Sequence, residues 1–131
     1  LSRGLGFSRE DRDENIRRIA FVAQLLTRND TITIVAAISP YAAARDAAYA
    51  SIGEFVEIFC TAPLEVCAKR DTKGFYAKAM AGEITNFTGV NDPFEAPEQP
   101  EIVLHGAAET PERMAEELYA QIFGWGLGYS I

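Results

Sequence analysis

Residues 6–20 read GFSREDRDENIRRIA, and they predict a loop that runs into a long helix over residues 8–28. Ser8 is followed three residues later by Asp11, a capping-box pattern in which two side chains satisfy backbone N–H groups at a helix start. Apolar residues behind this cap recur at helical spacing. They predict one buried stripe, formed by Ile16, Ile19, Ala20, Ala23 and Leu26.

Arg12 falls within that stripe at 100° per residue, and Asn15 falls near its edge. An inward arginine in a first turn must leave water, and the helix dipole there repels a cation. A bound anion would satisfy the guanidinium and the helix N-terminus together. The alternative is that Arg12 bends outward or pairs with Asp11 or Glu14. This stretch alone leaves both interpretations open.

Downstream, strand patterns alternate with helix patterns. Residues 31–38 (TITIVAAI) form an apolar, β-branched run that is typical of a central strand buried on both faces. Further strands are predicted at 54–60 and 101–104, with helices over 41–51, from Pro63 through Arg70, and from Thr110-Pro111 to Phe123. This order predicts a doubly wound α/β sheet with right-handed crossovers.

Ligands of such sheets bind beyond the carboxyl ends of the strands. Those ends are Ile38-Ser39-Pro40 and Cys60-Thr61-Ala62. Residues 71–90 are polar and interrupted by glycines, with a short helix expected in their middle. We interpret them as a mobile lid, with a plain surface excursion as the alternative. Residues 91–100 contain three prolines and predict an irregular loop.

The totals of the chain exclude several classes of function. Its 131 residues fit one domain with a hydrophobic core, and 12 basic against 19 acidic residues give a net charge of −7, which argues against non-specific nucleic-acid binding. No apolar run approaches the length of a membrane span. Cys60 and Cys67 lack metal-type spacing, so we expect buried free thiols in a reducing, cytoplasmic compartment. His105 is the only histidine, which offers little to a histidine-based triad or metal site.

A series of linked motifs resembles the adenylylsulfate (APS) kinase family. The motifs stand in the family's order over residues 4–104: GFSREDRDENIRRIA, ISPY with Arg45-Asp46, APLEVC with Arg70-Asp71 and Lys73-Gly74, AGEI, FTG and DPFEAPE. The resemblance implies a P-loop kinase-like α/β fold. It also implies transfer of the γ-phosphoryl group of ATP to the 3′-hydroxyl of APS, which gives PAPS. Mg²⁺ would accompany ATP, and ATP and APS would be the partners.

The resemblance also implies a set of residues that bind APS: Phe7, Arg12, Asn15, Ile38, Ser39, Lys73, Asn86 and Phe87. Phe7 and Phe87 would stack on the two faces of the adenine. Arg12 and Asn15 would hold the anionic part of APS. The alternatives are that the two phenylalanines are ordinary core residues and that Lys73 is a solvated surface lysine.

The other implied contacts come from the strand end and the lid. Ile38 and Ser39 would touch APS from the end of the predicted strand. Lys73, Asn86 and Phe87 would reach it from residues 71–90, and Arg70 would lie on the ATP side. The resemblance leaves open whether the protein is a homodimer or is fused to ATP sulfurylase. It is also silent on residues 124–131 (GWGLGYSI), which we take as a C-terminal tail.

The chain departs from the family pattern at several positions. Residues 1–131 contain neither a glycine-rich loop ending in Gly-Lys-Ser/Thr nor the Asp-Gly-Asp segment that follows it in the family, so we assign no catalytic residue and no metal ligand. Thr85 stands where lysine is common, Asn91 where an acidic residue is common, and Ala42 and Ala43 where basic residues are frequent. Each of these changes removes charge near the expected ligands.

Two functions fit this pattern. The first is a phosphotransferase whose P-loop segment lies outside these 131 residues, which by themselves are expected to be inactive. The second is a catalytically inactive, nucleotide-binding regulatory domain of a larger sulfate-activating enzyme. A purely structural oligomerisation domain is a weaker third. The retained substrate-binding residues favour the first.

Overall fold

The computed structural model describes residues 1–53 and 55–124. These residues form two compact units, Leu1–Phe55 with Thr72–Pro97, and Val56–Asp71 with the chain from residue 98 onward. The described elements are α1 (Arg9–Thr27), α2 (Ala42–Ile52), β1 (Ile58–Thr61), α3 (Leu64–Lys69), α4 (Phe75–Met80), β2 (Ile102–His105) and α5 (Pro111–Gly124). The order of helices and strands agrees with the predicted α/β class.

Helix α1 begins as the sequence predicts. Ser8 is its N-cap, and the Ser8 hydroxyl accepts a hydrogen bond of 3.2 Å from the Asp11 N–H. The Asp11 carboxylate reaches two residues further back than a capping box expects, because it accepts from the Gly6 N–H at 2.9 Å rather than from the Ser8 N–H. The cap therefore fixes both the helix start and the loop that precedes it.

The first unit is built on the contact between α1 and α2. Ala20 and Ala23 of α1 are buried, as the predicted stripe requires, whereas Leu26 remains 41% exposed. Tyr41 and Ala79 complete the buried residues of this unit.

The predicted central strand over residues 31–38 is wrong. The segment has no strand assignment, and Ile34 and Ile38 are 91% and 67% exposed. A strand exists through backbone hydrogen bonds to a neighbour, and no segment among residues 1–53 and 55–124 pairs with this one in a sheet. The β-branched residues do favour an extended backbone. They do not form a strand here because no neighbouring strand among the described residues pairs with them.

The second unit contains the sheet. Strands β1 and β2 run parallel, with Ile58 opposite Ile102 and Thr61 opposite His105. Ile102 and Leu104 are buried while Val103 is 42% exposed, which is the alternation of a half-covered strand. Helix α5 packs against β2.

Several boundaries and burial predictions in this unit need correction. The strand predicted at 54–60 begins at Ile58. Cys60 and Cys67 are free as expected, but Cys60 is exposed and Cys67 is half-buried, since a sheet of two strands offers little surface to cover its side chains. Helices α3 and α5 match their predicted positions. Of the tail at 124–131, only Gly124 lies within the described residues.

Residues 71–97 are mostly irregular. The short helix expected inside the lid is α4, and a bridge between Thr88 and Asp92 closes a tight loop after it. Residues 93–100 have neither helix nor strand, as their prolines predict. Among the described helices, none combines the length and the apolar composition needed to cross a membrane.

Candidate functional site

Arg12 joins the start of α1 to the loop at residues 86–88. Its guanidinium donates hydrogen bonds to the Phe7 carbonyl oxygen at 3.1 Å, to the Thr88 hydroxyl and to the Asn86 carbonyl oxygen. The side chain thus neither bends into solvent nor pairs with an acidic neighbour. A guanidinium has five N–H donors, so these three bonds leave two for a further acceptor.

The loop that Arg12 holds is closed by the side chain of Asn91. The Asn91 Oδ1 accepts from the Phe87 N–H at 2.7 Å, and its Nδ2 donates to the Ile84 carbonyl oxygen at 2.7 Å. Asn91 is one of the departures from the family pattern. A carboxylate at this position could accept from Phe87 but could not donate to Ile84, so the amide has a structural use.

Asn86 and Phe87 lie at the tip of this loop. Asn86 has a φ of 57°, a left-handed conformation that asparagine tolerates better than most residues. The ring of Phe87 meets the ring of Tyr76 edge-on, with centroids 4.9 Å apart. The Phe87 ring is therefore oriented by α4, the helix within the expected lid.

Tyr41 ties the same loop to the end of residues 31–38. Its hydroxyl donates to the Asp92 Oδ2 at 2.7 Å, and the Arg9 guanidinium lies 4.3 Å from the centre of its ring. The ring is buried, with 2% of its surface exposed. The hydrogen bond to Asp92 and then burial raise the pKa of Tyr41 above its usual value, so the hydroxyl stays a donor.

Residues 39–42 are held from the other side by Arg45 and Glu95. The Arg45 guanidinium donates to the Ser39 carbonyl oxygen at 2.8 Å and to the Glu95 carbonyl oxygen at 2.7 Å. The Glu95 carboxylate accepts from the Ala42 N–H at 2.6 Å, at the start of α2. The Glu95 N–H donates to the Pro40 carbonyl oxygen at 2.8 Å.

The structure brings part of the predicted APS-binding set together. Arg12 bonds directly to the backbone of Phe7 and Asn86, and Phe87 lies next in the chain to Asn86. Ser39 connects to the same loop through Pro40, Tyr41 and Asp92.

Phe7 is 76% exposed, which excludes the alternative that it is a core residue. Asn15 accepts a hydrogen bond of 3.0 Å from the Ser2 hydroxyl through its Oδ1. Lys73 is exposed within the same unit, and Ile38 is exposed as described above. Arg70 belongs to the second unit, where it donates to the Gly106 carbonyl oxygen at 2.6 Å.

Four residues of this network were not predicted to have a role: Tyr41, Arg45, Asp92 and Glu95. Each lies inside a motif that carries the family resemblance, ISPY with Arg45 or DPFEAPE. Periodicity could not identify them, because they stand in a turn, in a loop and on a first helical turn. Membership of those motifs was the only signal available.

A groove of about 660 Å³ lies elsewhere in the first unit, between α1 and α2. Alanines of α2 form one wall, and Glu10, Asp13 and Glu14 contribute carboxylates to the other. Asp13 Oδ1 is buried there without a hydrogen-bond partner. None of the predicted APS-binding residues lines this groove, and its carboxylates would repel an anionic nucleotide, so we do not assign it as the nucleotide site.

A protein-bound metal needs several donor side chains close together. Within residues 1–53 and 55–124, no group of three or more histidine, cysteine, aspartate or glutamate side chains is arranged to hold a metal ion. These described residues therefore offer no donor set for a protein-bound metal, and no chemical step is assigned to one.

Comparison with known proteins gives a consistent result. The family model for adenylylsulphate kinase matches residues 1–105. An adenylyl-sulfate kinase of Halothermothrix orenii is 58% identical over 118 residues, which are 90% of this chain and 64% of that protein. A probable bifunctional SAT/APS kinase of Sorangium cellulosum is 54% identical over 93% of this chain and 21% of its own length.

A solved structure agrees with the sequence comparisons. The Mycobacterium tuberculosis APS kinase CysC, determined in complex with AMPPNP and APS, superimposes with a TM-score of 0.78 at 43% identity. The match covers 90% of this chain and 70% of that one. The P-loop kinase-like α/β fold predicted from the sequence is confirmed. The chain spans about two thirds of the length of these two single-function relatives.

Proposed function

The chain belongs to the adenylylsulfate kinase family, and we propose that its protein transfers the γ-phosphoryl group of ATP to the 3′-hydroxyl of APS. The observation that carries this proposal is the position of Arg12. It lies at the start of α1 with two N–H groups left over, beside the loop that presents Asn86 and Phe87. A cation next to an aromatic ring can bind an anionic nucleotide, because the cation pairs with the anionic group and the ring stacks on the flat base.

The described residues would bind and orient APS. Arg12 and Asn15 would hold its anionic groups, and the exposed ring of Phe7 would stack on the adenine together with Phe87. Lys73 would add a positive charge from the lid, residues 71–90. Ile38 and Ser39 would complete the contact from the start of the turn that precedes α2.

The second substrate would be held mainly by other parts of the protein. Phosphoryl transfer depends on positioning and on electrostatic stabilisation by a loop that surrounds the phosphates. Residues 1–131 contain no such loop, and only Arg70 is proposed here for the ATP side. Mg²⁺ would enter with ATP and neutralise phosphate charge. The protein would act in the cytoplasm, as a homodimer or joined to ATP sulfurylase.

A regulatory domain is the second candidate. The observation that favours it is the absence of a Gly-Lys-Ser/Thr loop from residues 1–131, together with a relative described as bifunctional that this chain covers over 21% of its length. Such a domain would bind APS through the same residues but would not turn it over. Binding alone therefore does not separate the two functions, whereas product formation does.

The proposal is tested by incubating the full-length protein with APS and with ATP that is radiolabelled at the γ-phosphate. We expect label in a product that migrates as PAPS, and none when the APS analogue lacks its 3′-hydroxyl. Label that stays in ATP or appears only as free phosphate, with APS binding intact, would reject the kinase and leave the regulatory domain.

A further inference from the structure

We propose that Arg45 and Glu95 are positioning residues, which hold Ser39 in a strained conformation so that residues 38 and 39 present the correct surface to APS. This inference rests on the proposed function, since it takes APS as the ligand of that surface. Neither residue need touch the ligand. Both act through the backbone of residues 39–42.

The strain is visible at Ser39. Its φ is 41°, in the left-handed region that side chains other than glycine and asparagine rarely adopt. Ser39 also precedes Pro40, and a residue before proline is restricted toward extended conformations. A backbone conformation that is disfavoured for both reasons persists only where the surrounding contacts hold it in place.

The hydrogen bonds around this turn hold Ser39 in that conformation. The two arms of the Arg45 guanidinium bridge the carbonyl oxygens of Ser39 and Glu95, at 2.8 and 2.7 Å. Glu95 then fixes the next residues, because its N–H bonds to Pro40 and its carboxylate accepts from the Ala42 N–H. Both side chains are partly buried, where such charge-assisted bonds are stronger than in water.

The start of α2 does not by itself require the strained conformation of Ser39. A turn that only had to start α2 could use a glycine or a relaxed residue at position 39. Here the chain combines a strained serine, a bridging arginine and a glutamate cap at the point where the resemblance places two ligand contacts. Strained backbone of this kind concentrates at ligand-binding positions.

The test compares steady-state kinetics of the full-length protein with those of Arg45→Gln. We expect the KM for APS to rise about tenfold or more, because loss of a charged hydrogen-bond donor releases the turn. The KM for ATP and kcat should stay within about twofold. Arg45→Lys should recover only part of the affinity, since one ammonium group cannot bridge two oxygens as a planar fork does. Arg113→Gln on α5 is the matched control and should change neither KM.

A double-mutant cycle with Ser39→Gly tests the strain itself. Glycine adopts the left-handed conformation without cost, so loss of Arg45 releases no strain there, and Arg45→Gln should lower the unfolding temperature more in the Ser39→Gly protein than in the Ser39 protein. Equal losses in both backgrounds, or a fall in kcat with an unchanged KM for APS, would overturn the positioning role. If no variant and no wild-type protein makes PAPS, the kinase proposal fails, and the unfolding cycle still decides whether Arg45 holds Ser39.

Discussion

Arg12 has a structural role in the fold and, in the proposed function, a second role in binding APS. Its three hydrogen bonds fasten the start of α1 to the loop at residues 86–88, and its remaining N–H groups are free to meet an anion. Sequence periodicity placed it on the inward face of the helix, which is correct. Two of its three acceptors are 74 and 76 residues away, so no local pattern could identify them.

Replacing Arg12 should therefore have two effects. Arg12→Ala is expected to weaken APS binding by about 1.5–3 kcal/mol, the range for hydrogen bonds to charged groups, and to lower the free energy of unfolding by about 1 kcal/mol. Calorimetric titration with APS measures the first effect and urea unfolding the second. Arg28→Ala, at the other end of α1, is the control, and unchanged APS affinity in Arg12→Ala would refute the assignment.

Asn91 shows the limit of comparing residues with a family pattern. The family commonly has an acidic residue at this position, so the asparagine suggested only the loss of a charge near the ligand. In the structure the amide donates to Ile84 and accepts from Phe87, and a carboxylate can do only one of these. The position of the hydrogen-bond partners, rather than the residue type, decides what the substitution means.

Among the secondary-structure elements, the helix boundaries could be predicted from the local sequence. The Ser8 cap, Pro63 before α3 and Pro111 at the start of α5 all lie at the predicted boundaries. Helices satisfy their backbone within one segment, so their sequence carries most of the information. Residues 31–38 failed as a strand because a strand depends on a neighbour that the local sequence does not contain.

Helix α1 carries an ion cluster that makes a pH-dependent contribution to stability. Glu14 accepts from Arg17 at 2.6 and 2.9 Å and from Arg18 at 2.7 Å. The hydrogen bonds from Arg17 and then from Arg18 lower the pKa of Glu14 to about 2. Because the folded pKa lies below the ordinary value of 4.5, this contribution is present above pH 4.5 and is lost as the pH falls toward 2.

Thermal unfolding between pH 2 and pH 6 tests this cluster. The wild-type protein should unfold at a higher temperature than Glu14→Gln at pH 6, and the two temperatures should converge near pH 2. Added salt at pH 6 should narrow the difference, since exposed ion pairs are screened. A difference that stays constant with pH would show that Glu14 acts through something other than its charge.

Across the whole molecule, we propose that the described residues supply the APS side of a two-substrate reaction. The first unit gathers Phe7, Arg12, Ser39, Asn86 and Phe87 through a continuous set of hydrogen bonds and chain neighbours. The fold class and the family were predictable because the motifs are numerous and stand in order. The arrangement of Tyr41, Asp92 and Glu95 was not, since it depends on contacts across about fifty residues of chain.

We propose that this chain provides the APS side of an adenylylsulfate kinase. This proposal is tested most directly by measuring PAPS formation, at equal concentrations, for residues 1–131 alone and for the same residues joined to a family segment that carries the Gly-Lys-Ser/Thr loop. We predict no PAPS from the chain alone, because residues 1–131 contain no Gly-Lys-Ser/Thr loop to surround the γ-phosphate, and PAPS formation from the joined protein. PAPS produced by residues 1–131 alone, or a joined protein that binds both nucleotides yet forms none, would contradict the claim.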